Sequence, residues 1–360
     1  MTASCAISIA AWSADSSADP RTEIIGIDTT ATLGPADCHA RITLYAAPAG
    51  GRQLDFDAGD PVSIELTAGD VTETVFTGAV RSVRTSLGVM HVDAAGGLTR
   101  LAATRVNAIY SNQSAQQIAS DLASQAEMDT GDLETGDTYP YVVAHESRSA
   151  LELLRRIARA EGMDLYADHE GRLTMKRFTR TGADYTVKYA VHVLDARLVR
   201  HDVPTAHVMI AGESVASTKG NDSWAMLAKD GSAYLAEAGS GARLLAQHEG
   251  AVRTKASAQR LADAMHEAIA SYTTWGRIAV LGNPRVRLAD AIGIEDAPTP
   301  SLNGTFKVTG VRHHFSKARG HVTVVDFVAL AGAASGLGAL GGGDAGALAG
   351  AAAGLAGGLL

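Results

Sequence analysis

Apolar and polar residues alternate through much of the first hundred positions. Ile42 and Leu44 alternate with Arg41 and Thr43, and Val62, Ile64 and Leu66 with Ser63, Glu65 and Thr67. A period of two puts successive side chains on opposite faces of a strand, so this region is predicted to be a half-buried sheet. Gly50-Gly51, Gly59-Asp60 and Gly69-Asp70 stand at the joints, where turns need those residues. Short strands at this spacing point to a barrel or a sandwich rather than a parallel α/β sheet.

The period changes after Leu98. Ser114-Ala-Gln-Gln117 and Ser149-Ala-Leu-Glu152 have the form of capping boxes. The helices behind them place Ile118 over Leu122, and Leu151, Leu154 and Ala158 on one stripe, with Gly162 as a left-handed stop. Residues 129–140, polar and ending at Pro140, are predicted to be a loop. A hairpin follows, from Met163 to Ala167 and from Arg172 to Arg177 around Asp168-His-Glu-Gly171. Strands then return, interrupted by a helix from Lys255 to Tyr272 with Leu261, Met265 and Ile269 four apart. Ile278 to Leu281, Arg285 to Leu288, Thr305 to Phe315 and His321 to Ala329 read as strands. The expected class is therefore α+β and β-rich. The expected domains are a first β domain at 1–103, an α+β insert at 104–178, a second β domain at 179–330 and a tail at 331–360.

At 360 residues, with 46% apolar and 19% charged side chains, the chain is long enough for more than one core and too apolar for disorder. Thirty-one basic against 39 acidic residues give a net charge of −8, which argues against general nucleic-acid binding. Cys5 and Cys38 exclude a disulfide framework and a four-cysteine zinc site. Free buried thiols are the favoured reading, with a single bridge left open because both fall in predicted neighbouring strands. The start, Met1 to Trp12, lacks the basic residue and long apolar run of a secretory signal, so no signal peptide is expected.

The last thirty residues hold eleven Gly, eleven Ala and six Leu. A low-complexity tail, a membrane span without basic flanks, and a close-packing helix face of Gly346, Gly350 and Gly354 are the three readings. The span is disfavoured, because Gly and Ala are weakly apolar.

No residue pattern carries catalysis. There is no Gly-x-Ser-x-Gly elbow and no phosphate-binding Gly-rich loop followed by Lys. His313, His314 and His321 are the densest histidine group, but neighbours on a strand point to opposite faces and no carboxylate or thiol set accompanies them. His192, His201 and His207, near Asp195 and Asp202, are discounted likewise. No metal, cofactor or catalytic residue is therefore expected. Arg148, Arg155, Arg156 and Arg159, mixed with Glu146, Glu152 and Glu161, read either as a solvated face or as a subunit interface.

The order of segments resembles the tail hub proteins of contractile phages and related injection systems, the late-control D family, and the amino-terminal part of type VI spike proteins. The resemblance is carried by Gly59-Asp-Pro-Val62 through Phe76-Thr-Gly78-Ala-Val80, and by Tyr110-Ser-Asn112-Gln-Ser114. It continues through Glu146-Ser147 before Leu151-Glu-Leu-Leu154, Gly162-Met-Asp-Leu-Tyr166 and Gly171-Arg-Leu173. Leu302-Asn-Gly304 to Val308, Val311-Arg-His-His314-Phe-Ser316 and Gly320-His-Val-Thr323 complete it. It implies two tube-like antiparallel β-barrel domains per subunit, a homotrimeric ring with near-sixfold symmetry, and no catalysis. The implied partners are further copies of the chain, the hexameric tail tube, a separate trimeric spike, the tape-measure carboxyl end and baseplate wedge proteins. The implied location is a virion baseplate or injection particle assembled in the bacterial cytoplasm. Gly346, Gly350 and Gly354 would then pack near the threefold axis, and the acidic balance leads to the expectation of an acidic channel lining. A tail-borne peptidoglycan hydrolase and a receptor- or sugar-binding module are the alternatives; the scatter of Trp12, Trp224 and Trp275 speaks against the second.

Overall fold

The computed structural model describes residues 3–17, 23–34, 38–46, 54–179, 182–200, 206–212, 235–249, 252, 255–272 and 274–330. Gly346, Gly350 and Gly354 lie outside the described residues, as do His201, Asp202 and Trp224. The first region supplies β1 (Ala3–Ile9), β2 (Trp12–Asp15), β3 (Ile24–Thr32), β4 (His39–Tyr45), β5 (Pro61–Ala68), β6 (Val71–Ser86) and β7 (Val89–Ala95). α1 (Leu98–Ala103) comes next, its Leu98 and Leu101 joining the insert's core, and the insert itself supplies β8 (Ala108–Ser114), α2 (Ala115–Gln125), β9 (Thr130–Leu133), β10 (Thr138–Ala144), α3 (Ala150–Glu161), β11 (Asp164–Ala167) and β12 (Leu173–Lys176). The last region holds β13 (Tyr185–Lys188), α4 (Tyr189–His192), β14 (Val193–Arg200), β15 (Ala206–Gly212), β16 (Leu235–Ala238) and β17 (Arg243–Glu249). It ends with α5 (Lys255–Ser271), β18 (Thr274–Leu281), β19 (Ala291–Glu295), β20 (Gly304–Ser316) and β21 (Gly320–Ala329).

The two outer β regions are sewn into one 13-stranded sheet along the order β14-β18-β21-β20-β3-β4-β7-β6-β5-β1-β2. The seam is the antiparallel pair β20–β3, where Arg312 lies opposite Thr30 and His314 opposite Asp28. Alternation fixes which face is covered. Ile42 and Leu44 of β4, Val92 of β7, Ile278 of β18, Val311 of β20 and Phe327 of β21 all join one buried cluster that draws on both regions. Burying such side chains contributes about 1.5–3 kcal/mol each, so a one-residue slip of register is strongly disfavoured.

Both capping boxes form. Ser114 Oγ accepts from Gln117 N at 3.2 Å while Gln117 Oε1 accepts from Ser114 N at 2.8 Å. Ser149 and Glu152 repeat the exchange at 3.2 and 3.1 Å. Ile118, Leu122, Leu151 and Leu154 turn into the insert's own core. A third cluster joins β15 and β16 to Ala258, Leu261 and Ala262 of α5, with Met265 and Ile269 packed against it. α5 also lies against α3, and Gly162, at φ +66°, closes α3 with Ala264 so near that an added Cβ would stand 2.9 Å from the Ala264 Cβ.

Two expected elements differ. Residues 129–140 are not a loop but contain β9 and the start of β10. β9 pairs parallel with β12, and none of its residues is buried, so no apolar alternation marks it. Arg285 to Leu288 is not a strand, although Val286 and Leu288 are buried. Asn283 Oδ1 and Asp290 Oδ2 accept from Arg285 N and Arg287 N, taking backbone donors that a ladder would need and bending the chain into turns.

Candidate assembly surface

Eight consecutive neighbours of the sheet, β14-β18-β21-β20-β3-β4-β7-β6, have one face on the shared core, and among the described residues the other face is open. The open face carries two charge triads. Asp93 on β7 accepts from Arg41 Nε on β4 at 2.9 Å and from Arg84 Nη2 on β6 at 2.8 Å. Asp326 on β21 accepts from Arg277 Nε on β18 at 2.6 Å and from Arg312 Nη2 on β20 at 2.9 Å. Burial pushes the Asp93 carboxyl up, but the hydrogen bond and charge of Arg41 and the charge of Arg84 outweigh it and hold the group below the usual carboxylate range.

The triads belong to a longer correspondence, in which β3-β4-β7-β6-β5 is repeated as β14-β18-β21-β20-β19. In both halves the first arginine is directly opposite the aspartate, Arg41 to Asp93 and Arg277 to Asp326. The second arginine comes two residues beyond the aspartate's partner, Ser82 or Gly310. The register shifts recur too, between Val80 and Ser82 and between Val308 and Gly310. They recur again between Ile24 and Gly26 and between Val193 and Asp195.

The turn before each fifth strand is also duplicated. Val80 N donates to Asp60 O at 2.8 Å, and Val308 N to Asp290 O at 2.8 Å. Asp60 Oδ2 accepts from Asp57 N, and Asp290 Oδ2 from Arg287 N. Gly59 at φ +98° and Ala289 at φ +59° are the matching left-handed residues. A sequence signal accompanies this turn, since Gly59-Asp-Pro-Val-Ser-Ile-Glu65 matches Ala289-Asp-Ala-Ile-Gly-Ile-Glu295 at Asp, Ile and Glu. It is easily passed over, because β3 and β4 are joined directly whereas β14 and β18 are separated by β15–β17 and α5.

The profile of the phage tail baseplate hub family matches residues 38–318. The chain belongs to that family. Its role is that of a structural baseplate hub. A prophage MuSo2 43 kDa tail protein from Shewanella oneidensis is similar in structure at 15% identity and TM-score 0.68, over 91% of this chain and 98% of the other. A tail protein from Neisseria meningitidis is similar at 12% identity and TM-score 0.66, over 91% and 97%. An E. coli type VI secretion component, described as resembling T4 tail proteins gp27 and gp5, is similar at 12% identity and TM-score 0.58, over 91% and 77%. These three likenesses are of fold. No curated protein matches the chain by sequence.

Within the hub the remaining candidate residues take structural places. His313 and His321 are buried, with His313 Nδ1 3.2 Å from His321 Nε2 and 3.2 Å from Thr323 Oγ1. Burial, then the neighbouring His321 and Arg287, depress the His313 pKa well below the usual range; burial, then His314, lower His321 to about 4. His314 points to the open face and meets Asp28. Among the described residues no group of three or more His, Cys, Asp or Glu could hold a metal ion. Nor is any described helix long and apolar enough to cross a membrane.

Cys5 and Cys38 are buried and not joined in a disulfide, and burial followed by Asp15 pushes the Cys5 thiol up to about 12. They are not on neighbouring strands: β1 pairs with β2 and β5, and Cys38 precedes β4 with its Sγ 3.7 Å from Ala167 O. The mixed-charge helix α3 is neither wholly solvated nor free. Arg156 meets Glu249 at 3.3 Å, and Glu161, only 2% exposed, accepts from Arg177 Nη2 at 3.0 Å and Tyr139 Oη at 2.8 Å. A cleft of about 560 Å³ between sheet and insert contains Tyr166, His169 and Arg287, but Arg287 is held by Glu73 and Arg172 by Asp168.

The net charge leads one to expect an acidic channel lining; a single chain encloses no channel, and the open face of its sheet is mixed in charge rather than acidic. Arg41, Arg84, Arg197, Arg277 and Arg312 stand there against Asp28, Asp93, Asp195 and Asp326. Asp93 and Asp326 are each paired with two arginines and Asp28 with His314, while Arg197 stands opposite Arg277, so these aspartates give the face no acidic excess.

Proposed function

We propose that three copies of this hub close into a ring that adapts a hexameric tail tube to a trimeric central spike and lines the channel between them. The observation that carries this reading is the internal repeat of the sheet, with its paired triads at Asp93 and Asp326. Three chains built this way offer six near-equivalent sheet units to a sixfold tube, while one insert per chain keeps threefold symmetry for a spike. The layering supports one direction of curvature for such a ring. The core clusters and β5, β1, β2 and β19 lie behind the covered face, so the bulkier layer takes the longer outer circumference and the open face turns inward.

In this reading the subunit occupies a virion baseplate or injection particle, assembled in the bacterial cytoplasm. It meets the tube protein, a separate spike, the tape-measure carboxyl end and wedge proteins, and it catalyses nothing. Mixing the purified chain with tube and spike proteins tests it. The expected result is co-sedimentation of all three in one ring-shaped complex, with no release of fragments from purified cell walls. A chain that binds neither protein, or that digests cell walls, would overturn the reading.

A further inference from the structure

The strand run ends in two open edges. Among the described residues β14 pairs with β18 alone. Among the same residues β6 is paired with β5 only as far as Ala79, and from Ser82 to Ser86 it has β7 on one side alone. Unpaired edges of this length invite another chain. Here the internal repeat says which one.

In the repeat, β20 corresponds to β6 and β3 corresponds to β14, so the seam β20–β3 inside the chain has the same two strand types as a meeting of β6 with β14. We infer that β6 of one copy pairs with β14 of the next, in the register copied from β20–β3. This rests on the trimeric ring proposed above and specifies its subunit junction.

The register follows residue by residue. Gly310 and Arg312 correspond to Ser82 and Arg84, because each pair lies identically against Asp326 or Asp93, and His314 therefore corresponds to Ser86. Arg41 and Arg277 correspond, which makes their partners Asp28 and Arg197 correspond, and two residues further along Thr30 corresponds to Val199. Within the chain Arg312 lies opposite Thr30 and His314 opposite Asp28. Between copies, Arg84 then lies opposite Val199 and Ser86 opposite Arg197.

Direction agrees. Every neighbouring pair in the run is antiparallel, so with eight strands the first and last run oppositely. Rotating a copy about an axis along the strands preserves strand direction, and β6 meets the next β14 antiparallel as the template requires. The extra residues at the two register shifts match as well, Ile25 in β3 and Leu194 in β14, and both are exposed.

The test is a cysteine pair in the full-length chain, Ser86→Cys with Arg197→Cys. These positions stand at opposite ends of the run, so a disulfide between them must join two copies. The native Cys5 and Cys38 are buried and do not compete. Mild oxidation should give covalent dimers and trimers on a non-reducing gel, and Thr85→Cys with Arg197→Cys should give none, since a one-residue step points the side chain to the other face. The native mass of each variant is measured alongside. A trimer that cross-links through Thr85, or through neither pair, overturns the register while leaving the ring. A wild-type chain that is not trimeric overturns the ring itself.

Discussion

Asp93 and Asp326 hold the same place in the two halves of one sheet, each clasped by an arginine from either flanking strand. Nothing about the shared core requires this, since both aspartates lie on the face away from it. Each neutralises two arginines that face it from the strands on either side. Asp93→Asn and Asp326→Asn should each lower the melting temperature at low ionic strength. The loss should shrink in high salt, where the freed arginines are screened. Thermal unfolding at two salt concentrations checks this, and an equal loss at both would contradict it.

The repeat also marks where the two seams differ. Asp28 sits at the internal seam beside His314, while the corresponding residue on the open edge is Arg197, beside Arg277. Arg197→Asp should therefore bring opposite charge toward Arg277 and toward Arg84 of the next copy. A cross-strand pair of this kind contributes roughly 0.2–1 kcal/mol. Trimer dissociation, followed by sedimentation over a dilution series, should shift to lower concentrations, with each junction strengthened by about 1.4- to 5-fold.

The pair His313 and His321 lies at the β20–β21 turn end, next to the seam, and both pKa values are depressed in the folded chain. The unfolded chain, with ordinary histidine values near 6.5, takes up protons first as pH falls. Folding stability contributed by this pair is thus complete above about pH 6.5 and declines toward about pH 4, where His321 protonates in the folded state. Each unit of depression corresponds to about 1.4 kcal/mol. Denaturant unfolding from pH 7 to pH 4.5 should show the decline, and His321→Gln should flatten it.

Gly162 joins two requirements in one residue, a left-handed backbone at φ +66° and room for Ala264 of α5. Gly162→Val should cost about 1–2 kcal/mol for the backbone alone, with a further loss as α5 is pushed away. Hydrogen exchange should quicken in α5 and α3 before it does in β20 and β21. Uniform quickening across the sheet would contradict this.

The class, the capping boxes and the strands with one buried face were legible because each leaves a local periodicity. Ile42, Leu44 and Val62 could be placed from their neighbours alone. β9 was not legible, because its residues Thr130 to Leu133 show no buried face, and Arg285 to Leu288 misled because buried Val286 and Leu288 alternate within turns. The fusion of two β regions into one sheet depends on the pairing of Thr30 with Arg312, far apart in sequence. The assembly surface was the least legible part. Its charges are read only across strands, and net composition hid an open face on which arginine matches aspartate.

The most direct test is the native mass of the purified chain, with particle images viewed down the symmetry axis. A mass of three times 37.2 kDa and a ring with a central hole are the expected result. A dimer closed through two β14 edges, or a compact particle without a hole, would contradict the account.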